Sequence, residues 1–381
     1  MVSSKFTVNP WRVEGRVDYE KLISEFKVRP IDLPLRRRIE ILAGSLHVLL
    51  RRNIAFAHRD LDLVLDDFQA DKGFCLYTGR APSLGIHIGH LLPFLLTQWF
   101  QEKFKADVYI EIADDEKVLS GQNSFEDIKH FSLENILDII AVGFDPDQTF
   151  IFRDTEYISQ LYPLALKIGK RINFSQLKAV FGFENSTSAG LLFYPLLQIA
   201  SSMLEQKRCL IPAGIDQDPY WRLQRDIASD VGHEKAAQVH LKFLPPLTGL
   251  EGKMSSSRPE TAIYLSDDPK EVRRKIEKYA FSGGKPTVKE HRKLGGDPDV
   301  DVSYLWMYFI FEPDDQKIMQ INEEYRNGEI LSGEMKEMLI QRLNSFLEAH
   351  RLRRDQAKSL IDTFMFSGRL ASQALKGPMV S

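Results

Sequence analysis

The sequence predicts an α/β protein with a Rossmann-like, mostly parallel sheet, followed by an all-helical domain at the C-terminal end. Between residues 74 and 230, short apolar runs that are typical of strands alternate with helical patterns. After Ser257 the hydrophobic periodicity is almost entirely helical. The chain has 381 residues, which allows two or three domains and a sizeable buried core.

The elements follow from these patterns in chain order. The first 72 residues mix short extended and helical patterns, with helices predicted at 18–26, 35–50 and 59–68. Apolar and aromatic runs predict strands at 74–77, 108–113, 150–152 and 209–212. Helical patterns between or after these strands lie at 91–104, 128–140 and 218–230. Later helices are predicted at 270–279, 302–311, 314–327, 333–350 and 354–364.

Pro259 and Pro269 bracket the change from the alternating to the all-helical pattern. We therefore divide the chain into three parts. Residues 1–72 form an N-terminal extension that packs on the catalytic domain. Residues 73–260 form the Rossmann-like domain with a connective insertion, and 261–381 the helical domain.

Composition excludes some classes of protein. The formal net charge is −3, so no global positive field attracts nucleic acid, and any RNA contact requires a local basic patch. The two cysteines, Cys75 and Cys209, stand far apart and outside any metal-binding pattern, which favours a reducing compartment. The start of the chain lacks the apolar run of a secretory signal, and the longest apolar stretch is too short to span a bilayer. We expect a cytoplasmic protein without membrane association.

A His87-Ile88-Gly89-His90 motif stands where the first strand–turn–helix unit predicts a helix to begin. The N-terminus of a helix offers unpaired N–H groups that favour phosphate. Gly89 lets a base or ribose lie against the backbone. His87 and His90 can face one ligand and donate to phosphoryl oxygens as negative charge develops on them.

Three other interpretations of this motif compete: ordinary histidines, a zinc site, and a tight turn at the glycine. Zinc requires three or four ligands, and no third ligand is evident, so we predict no protein-bound metal site. The first and third interpretations remain open on this motif alone.

A second motif, Lys253-Met254-Ser255-Ser256-Ser257, lies far downstream in a stretch with glycines before it and proline after it. A lysine on such a mobile loop can neutralise a departing pyrophosphate, which raises the rate rather than the affinity. The alternative is a solvated lysine beside an ordinary serine cluster. The two motifs in this order favour an enzyme that attacks the α-phosphate of ATP and releases pyrophosphate.

Together the two motifs resemble the signatures of the class I aminoacyl-tRNA synthetases. Further segments resemble the tryptophanyl-tRNA synthetases of the eukaryotic and archaeal type: Asn9-Pro10-Trp11, Tyr77-Thr78-Gly79-Arg80, Asp114-Asp115-Glu116-Lys117, Gly214-Ile215-Asp216-Gln217-Asp218-Pro219-Tyr220, Ala280-Phe281-Ser282-Gly283-Gly284, Glu290-His291-Arg292 and Gly295-Gly296. The resemblance extends from about residue 8 to about residue 366. It implies that ATP, with Mg²⁺, activates L-tryptophan and that the tryptophanyl group then moves to tRNA(Trp). It also implies a homodimer and a C-terminal helical domain that binds the anticodon.

The resemblance assigns roles to individual residues. It implies that His87, His90 and Lys253 are catalytic. It implies that ATP is bound by Thr78, Gly79, Arg80, His87, Gly89, His90, Lys253, Met254, Ser255 and Ser256. It implies that tryptophan is bound by Tyr77, Glu111, Glu116, Gln198 and Gln217, the last three holding its ammonium and carboxylate groups. For each of these three residues the alternative is a solvated charge or a helix-capping amide, and without the resemblance this alternative is preferred for Gln198.

Glu111 departs from the family pattern, because human-like members have a glutamine that binds the indole at this position. A carboxylate can still accept the indole N–H in a charge-assisted bond, although desolvation raises its pKa. Alternatively, Glu111 turns away and Tyr77 binds the indole alone. The rival family, tyrosyl-tRNA synthetase, has an aspartate three residues after the glutamine that matches Gln198. Ser201 stands there in this chain, which favours tryptophan.

Candidate tRNA contacts are Arg351, Arg353 and Arg354, because they fall in the predicted helical domain and an anticodon loop offers splayed bases. Arginine runs at 36–38 and 51–52 are further candidates, although charge runs are usually solvated helix faces.

Two other classes of protein are alternatives to a synthetase. Nucleotidyltransferases that build cofactors share the histidine motif but lack the lysine-serine loop. An inactive, RNA-binding relative is disfavoured because both motifs are intact.

Overall fold

The computed structural model describes residues 6–10, 13–121, 123–255 and 258–376. The strands are β1 (Thr7–Val8), β2 (Val13–Glu14), β3 (Arg29–Pro30), β4 (Ala55–Arg59), β5 (Cys75–Arg80), β6 (Asp107–Ile112), β7 (Thr149–Arg153), β8 (Cys209–Gly214) and β9 (Ala237–Leu241). The helices are α1 (Tyr19–Phe26), α2 (Leu33–Ala43), α3 (Val48–Arg51), α4 (Leu61–Gln69), α5 (Leu91–Phe104), α6 (Asp114–Ser120), α7 (Phe125–Ile140), α8 (Asp154–Gly169), α9 (Phe174–Phe181), α10 (Ala189–Ser201), α11 (Asp218–Ile227), α12 (Pro269–Tyr279), α13 (Val288–Leu294), α14 (Val302–Trp306), α15 (Asp315–Arg326), α16 (Ser332–Ala357) and α17 (Arg369–Leu375). Within these described residues, every helix is too short or too polar to cross a membrane.

The central sheet has seven strands in the order β3-β4-β9-β8-β5-β6-β7. The five strands from β5 to β9 pair in parallel, whereas β3 and β4 extend one edge in antiparallel register. Counted in chain order, the parallel strands lie 3-2-1-4-5, as in half of a Rossmann sheet. In such sheets, ligands bind beyond the C-terminal ends of the strands where the order reverses, which is between β5 and β8 here. The predicted Rossmann-like α/β fold is confirmed.

Both faces of the sheet are covered, because successive side chains of each strand point to opposite sides. On β5, Leu76 belongs to one apolar cluster and Tyr77 to another. Val108 and Tyr109 on β6 divide in the same way. The cluster containing Leu76 continues without a break into helices α12, α14, α15 and α16. The domain limits at 72/73 and 260/261 stay a prediction.

Two helix predictions in the N-terminal part are wrong in their limits. The helix predicted over 35–50 is divided into α2 and α3, because Gly44 takes a left-handed conformation that ends α2. Its N–H donates to the backbone oxygen of Glu40. The helix predicted over 59–68 begins too early, because Arg59 is the last residue of β4. Asp60, with φ of 53°, turns the chain before α4.

Sequence patterns also missed whole elements. Strands β4 and β9 are buried along nearly their whole length, so they lack the alternation that identifies a half-buried strand. Helices α8 and α10 each contain a proline, Pro163 and Pro195, which weakens their helical pattern. Near the C-terminal end, no separate helix spans 354–364: α16 runs on to Ala357, and a widened helical turn covers Thr363–Ser367.

The glycine-rich segments at 283–284 and 295–296 are sites of close backbone approach. A Cβ atom at Gly283 would lie 1.9 Å from the backbone oxygen of Asp297. A Cβ atom at Gly295 would lie 1.7 Å from the backbone oxygen of Arg326, and Gly295 has φ of +69°. Gly283 thus brings the turn after α12 against the segment that follows α13, and Gly295 brings the end of α13 against the end of α15, so their role is structural.

We expect Gly295→Ala to lower the thermal unfolding midpoint strongly, with a cost of about 3 kcal/mol or more, because the backbone must move and strain is added. The matched control is Gly333→Ala on α16, where a Cβ would meet open space. It should leave the midpoint unchanged or raise it slightly. Equal midpoints for the two variants would contradict the packing described here.

Candidate active site

A cavity of about 510 Å³ opens beyond the C-terminal ends of β5, β6 and β8. It is lined by thirteen of the residues predicted from the sequence: Tyr77, Thr78, Gly79, Arg80, His87, Gly89, His90, Glu111, Glu116, Gln198, Gln217, Lys253 and Met254. Ser255 does not line it, and Ser256 lies outside the described residues. The fold therefore brings segments more than 150 residues apart to the point where Rossmann sheets bind ligands.

The two histidines of the first motif stack, with ring centroids 3.4 Å apart and planes inclined by 17°. Burial, assisted by the nearby Arg80 charge, lowers the pKa of His87 to about 3 and that of His90 well below its usual value. Both rings are therefore neutral near pH 7. The nitrogens of the His87 ring are buried without a hydrogen-bond partner in the described part of the chain. The pair can offer N–H donors to a ligand but no positive charge.

The backbone holds this motif firmly. The N–H of Ile88 donates to the oxygen of Ile263 at 2.9 Å, and the N–H of Leu265 donates to the oxygen of Ile86 at 2.9 Å. A Cβ atom on Gly89 would come within 3.3 Å of the His87 ring and 3.5 Å of the Met254 Cβ. The two signature motifs thus adjoin each other at the glycine, where even a Cβ atom would be tightly packed against the His87 ring.

Arg80 organises the loop between β5 and the histidine motif. Its Nε donates to Asn135 Oδ1 at 2.7 Å, and its guanidinium also donates to the backbone oxygen of Gly85 at 3.2 Å. Asn135 in turn donates to the oxygen of Ser83 at 2.9 Å. Sequence reasoning missed Asn135, because a single amide on an amphipathic helix carries no recognisable signal.

Lys253 reaches the mouth of the cavity and pairs with a buried carboxylate. Its Nζ lies 2.5 Å from Oδ2 of Asp216, and 5.7 Å from the centroid of the Phe243 ring. The N–H of Gly252, next to it, donates to the backbone oxygen of Gly15 at 2.9 Å, so the loop contacts the N-terminal segment. Asp216 belongs to a motif quoted from the sequence, but its contact with Lys253 was not predicted.

Tyr77 and Glu111 form the inner wall of the cavity. The Tyr77 hydroxyl donates to one oxygen of Glu111, and the Ser201 hydroxyl donates to the other at 2.8 Å. Burial raises the pKa of Glu111 to about 7. The Tyr77 ring meets the edge of Trp221, with centroids 5.3 Å apart. Glu111 therefore does not turn away from Tyr77. The aromatic walls and two oxygen acceptors match a flat ring with one N–H donor.

The other polar groups face the same space from α6 and α10. Glu116 is 7% exposed, and it accepts from Ser120 Oγ at 2.8 Å. Gln198 accepts from the Tyr194 hydroxyl at 2.9 Å, which leaves the two N–H donors of its amide for a ligand. Lys117 also lines the cavity and was not assigned as a site residue from the sequence.

The three arginines predicted to contact tRNA lie on α16, outside the cavity. Arg353 Nε donates to the backbone oxygen of Ala141 at 2.7 Å. Arg354 binds Asp138 at 2.8 Å and Glu134 at 2.5 Å. Arg351 donates to the backbone oxygen of Asp267 at 3.4 Å. Their guanidinium groups thus join α16 to α7 and to the segment before α12.

The fold and the site define the class. A family model described as tRNA synthetases class I (W and Y) matches residues 69–348. Among curated relatives, the tryptophan–tRNA ligase of Saccharolobus solfataricus is 61% identical over 97% of both chains, and that of Pyrococcus furiosus is 52% identical over 98% of this chain and 97% of its own. The chain belongs to the tryptophanyl-tRNA synthetases, within class I.

Solved structures agree with this assignment. The tryptophanyl-tRNA synthetase from Giardia lamblia superposes with a TM-score of 0.87 at 38% identity, covering 91% of this chain and 95% of that chain. The tryptophanyl-tRNA synthetase from Aeropyrum pernix K1 superposes with a TM-score of 0.83 at 31% identity, covering 92% of this chain and 97% of that chain.

Proposed function

We propose that this chain is a tryptophan–tRNA ligase that works in two steps. A carboxylate oxygen of tryptophan attacks the α-phosphorus of ATP, and the bond to the β-phosphate breaks to release pyrophosphate. The terminal ribose hydroxyl of tRNA(Trp) then attacks the carbonyl of the adenylate, and AMP leaves. The observation that carries the proposal is the single cavity in which both signature motifs adjoin the Tyr77–Glu111 wall.

The phosphates would lie between the two motifs. Neutral His87 and His90 can donate N–H groups to phosphoryl oxygens without the cost of burying an unpaired charge. Lys253 supplies the positive charge, once it exchanges Asp216 for the departing pyrophosphate. Mg²⁺ enters with ATP as part of the substrate, bound by the phosphate oxygens.

Tryptophan would lie against the aromatic wall that Tyr77 and Trp221 form together, with its N–H directed at Glu111 or at the Tyr77 oxygen. Glu116 offers a negative partner for the ammonium group, and Gln198 and Gln217 offer donors for the carboxylate. Ser201 favours tryptophan over tyrosine, because its hydroxyl is already directed at Glu111 and it cannot supply a second carboxylate.

We expect Glu111→Gln to retain tryptophan activation within about tenfold, because an amide oxygen can replace one carboxylate acceptor for the indole N–H. The measurement is kcat/KM for tryptophan in ATP–pyrophosphate exchange. Glu111→Leu removes both acceptors and leaves the Tyr77 hydroxyl without its Glu111 partner, while Ser201 can still donate to the backbone oxygen of Leu197, so this variant should lose much more of its kcat/KM. Inactivity of the glutamine variant alongside a normal thermal midpoint would refute the assignment of Glu111 to the indole.

The role of Arg351, Arg353 and Arg354 in tRNA binding stays a proposal. Within the described residues Arg353 uses only its Nε, so its terminal nitrogens can reach a phosphate. Replacing Arg354 would also remove its contacts with Asp138 and Glu134. Arg353→Ala is therefore the cleaner variant, and it should weaken tRNA binding and reduce its salt dependence.

Three exposed apolar residues support the proposal of a homodimer. Ile158, Tyr162 and Leu166 recur every four residues along α8, so they share one face. They are 37%, 48% and 51% exposed. An apolar stripe of this kind is suited to pack on a second copy of the chain. We also propose a cytoplasmic location, where the buried thiols Cys75 and Cys209 stay reduced.

The test of the proposed function is aminoacylation of a tRNA pool with labelled tryptophan and, separately, labelled tyrosine. Charging with tryptophan alone is expected. Charging with tyrosine would overturn the assignment of the pocket. Adenylate formation without charging would place the chain outside the ligases.

A further inference from the structure

Three carboxyl groups, two of them buried and one half-buried, lie next to the inner wall of the cavity, where Asp154 neighbours Glu111. Asp114 and Asp115 begin α6, and Asp154 begins α8. One oxygen from each of the three lies within 4.8 Å of the others. Asp154 is fully buried and Asp114 is 2% exposed. These two helices follow adjacent strands, β6 and β7, so the group lies where the starts of two neighbouring helices meet.

The hydrogen bonds within the group are unevenly distributed. Asp114 accepts from the Thr155 N–H at 3.0 Å and from its hydroxyl at 2.5 Å. Asp115 accepts from the N–H of Glu116 at 2.7 Å. Neither oxygen of Asp154 accepts a hydrogen bond from an N–H or O–H donor among the described residues, and its polar neighbours are the carboxyl groups of Asp115 and Glu111. Donors in the first turns of α6 and α8 therefore satisfy the carboxylates of Asp114 and Asp115, but none of these donors bonds to Asp154.

Charge is uncompensated at the same place. The group's only nearby cation within the described chain is Arg153, whose NH1 lies 3.9 Å from Oδ2 of Asp114. Arg153 also binds Glu156 with its other terminal nitrogen. When all three carboxyl groups are ionised, they outnumber this guanidinium by two charges, and Glu111 adds a further carboxyl group beside Asp154. A buried carboxylate with neither a donor nor a counter-ion costs several kcal/mol in general.

We propose that Asp114, Asp115 and Asp154 bind a divalent cation of the hard, oxygen-preferring kind, such as Mg²⁺ or Ca²⁺. Such ions take carboxylate oxygens as ligands and complete their shells with water or backbone carbonyls. Two positive charges match the excess of negative charge in the group. The ion would fix the start of α6, which carries Glu116, against the start of α8. This site is separate from the Mg²⁺ that accompanies ATP.

Protons compete with a cation for the same oxygens, because burial and the neighbouring carboxylates raise the pKa of Asp154. The experiment therefore uses the full chain in mildly alkaline buffer, stripped with a chelator, with no nucleotide present. Thermal unfolding is followed during titration with Mg²⁺ and with Ca²⁺. The expected result is a saturable rise of about 2 °C or more in the unfolding midpoint.

Two variants make the result specific. Asp154→Asn keeps the shape of the side chain but removes the unpaired charge, so it should abolish the rise. Asp355→Asn, at an exposed carboxylate paired with Lys358, should keep it. Terbium gives a second readout, because it replaces Ca²⁺ and emits when a nearby aromatic side chain such as Tyr77 is excited. Wild-type protein should show this emission, Ca²⁺ should quench it, and Asp154→Asn should lack it.

No cation-dependent rise in the wild-type protein, or an equal rise in Asp154→Asn, would overturn the proposal and leave protons as the partners of these carboxylates. Because the assay contains no ATP, tRNA or tryptophan, its outcome does not depend on the proposed ligase activity.

Discussion

Lys253→Ala is expected to slow tryptophan activation by about 10²- to 10³-fold while leaving tryptophan affinity nearly unchanged. The Lys253 ammonium lies at the mouth of the cavity on a loop that contacts the histidine motif through Met254 and Gly89. It is therefore placed to stabilise charge that develops on pyrophosphate and is absent in bound tryptophan. The measurement is single-turnover adenylate formation, with tryptophan binding measured separately by equilibrium dialysis.

The substitution also removes the cation that pairs with Asp216, which is 4% exposed, so the thermal midpoint of the variant must be reported. Lys72→Ala is the matched control, because that side chain is 73% exposed and pairs only weakly with Asp67, at 3.9 Å. A rate loss under about threefold in a folded Lys253→Ala variant would contradict the assigned role.

Glu116→Gln is expected to raise KM for tryptophan by about 10- to 100-fold, because a charge-assisted bond to the ammonium group becomes a neutral one. Glu116 is almost fully buried at the cavity wall, so solvent does little to screen it. The effect should fall on KM and on binding more than on kcat.

An analogue separates this role from a general disturbance of the pocket. Indole-3-propionate has the ring and the carboxylate but no ammonium, so it should bind wild-type protein and the Glu116→Gln variant equally. Glu126→Gln, at an exposed position in the first turn of α7, is the control for a change of charge. If the variant weakens the analogue as much as tryptophan, Glu116 does not bind the ammonium group.

The phosphate end of this site was predictable from the residues themselves, because the histidine motif and the Lys253 loop are short local patterns. The tryptophan-binding residues, among them Tyr77 and Gln198, were predicted through the resemblance to a known family. The positions of Tyr77, His87 and Gln198 around one cavity follow from the parallel order of the sheet, which the strand and helix alternation predicted. The fold class was predictable for the same reason.

What the sequence did not predict depends on contacts between distant segments. The pairing of Lys253 with Asp216 joins positions 37 residues apart that share no pattern. The hydrogen bonds of Asn135 to the loop after β5 arise only once α7 is packed. Strands β4 and β9 were not predicted, because their nearly complete burial removes the alternation of apolar and polar residues that identifies a strand. The arginines of α16 looked like a free basic patch, and only the packing of α16 on α7 supplies their partners.

ATP–pyrophosphate exchange with each of the twenty amino acids tests the central claim most directly, because it reports adenylate formation and the selection of its amino acid in one measurement. The structure predicts exchange with tryptophan and at most a trace with tyrosine, since the inner wall presents Tyr77 and Glu111 to an N–H donor. Exchange led by tyrosine, or no exchange with any amino acid by folded protein, would contradict the account.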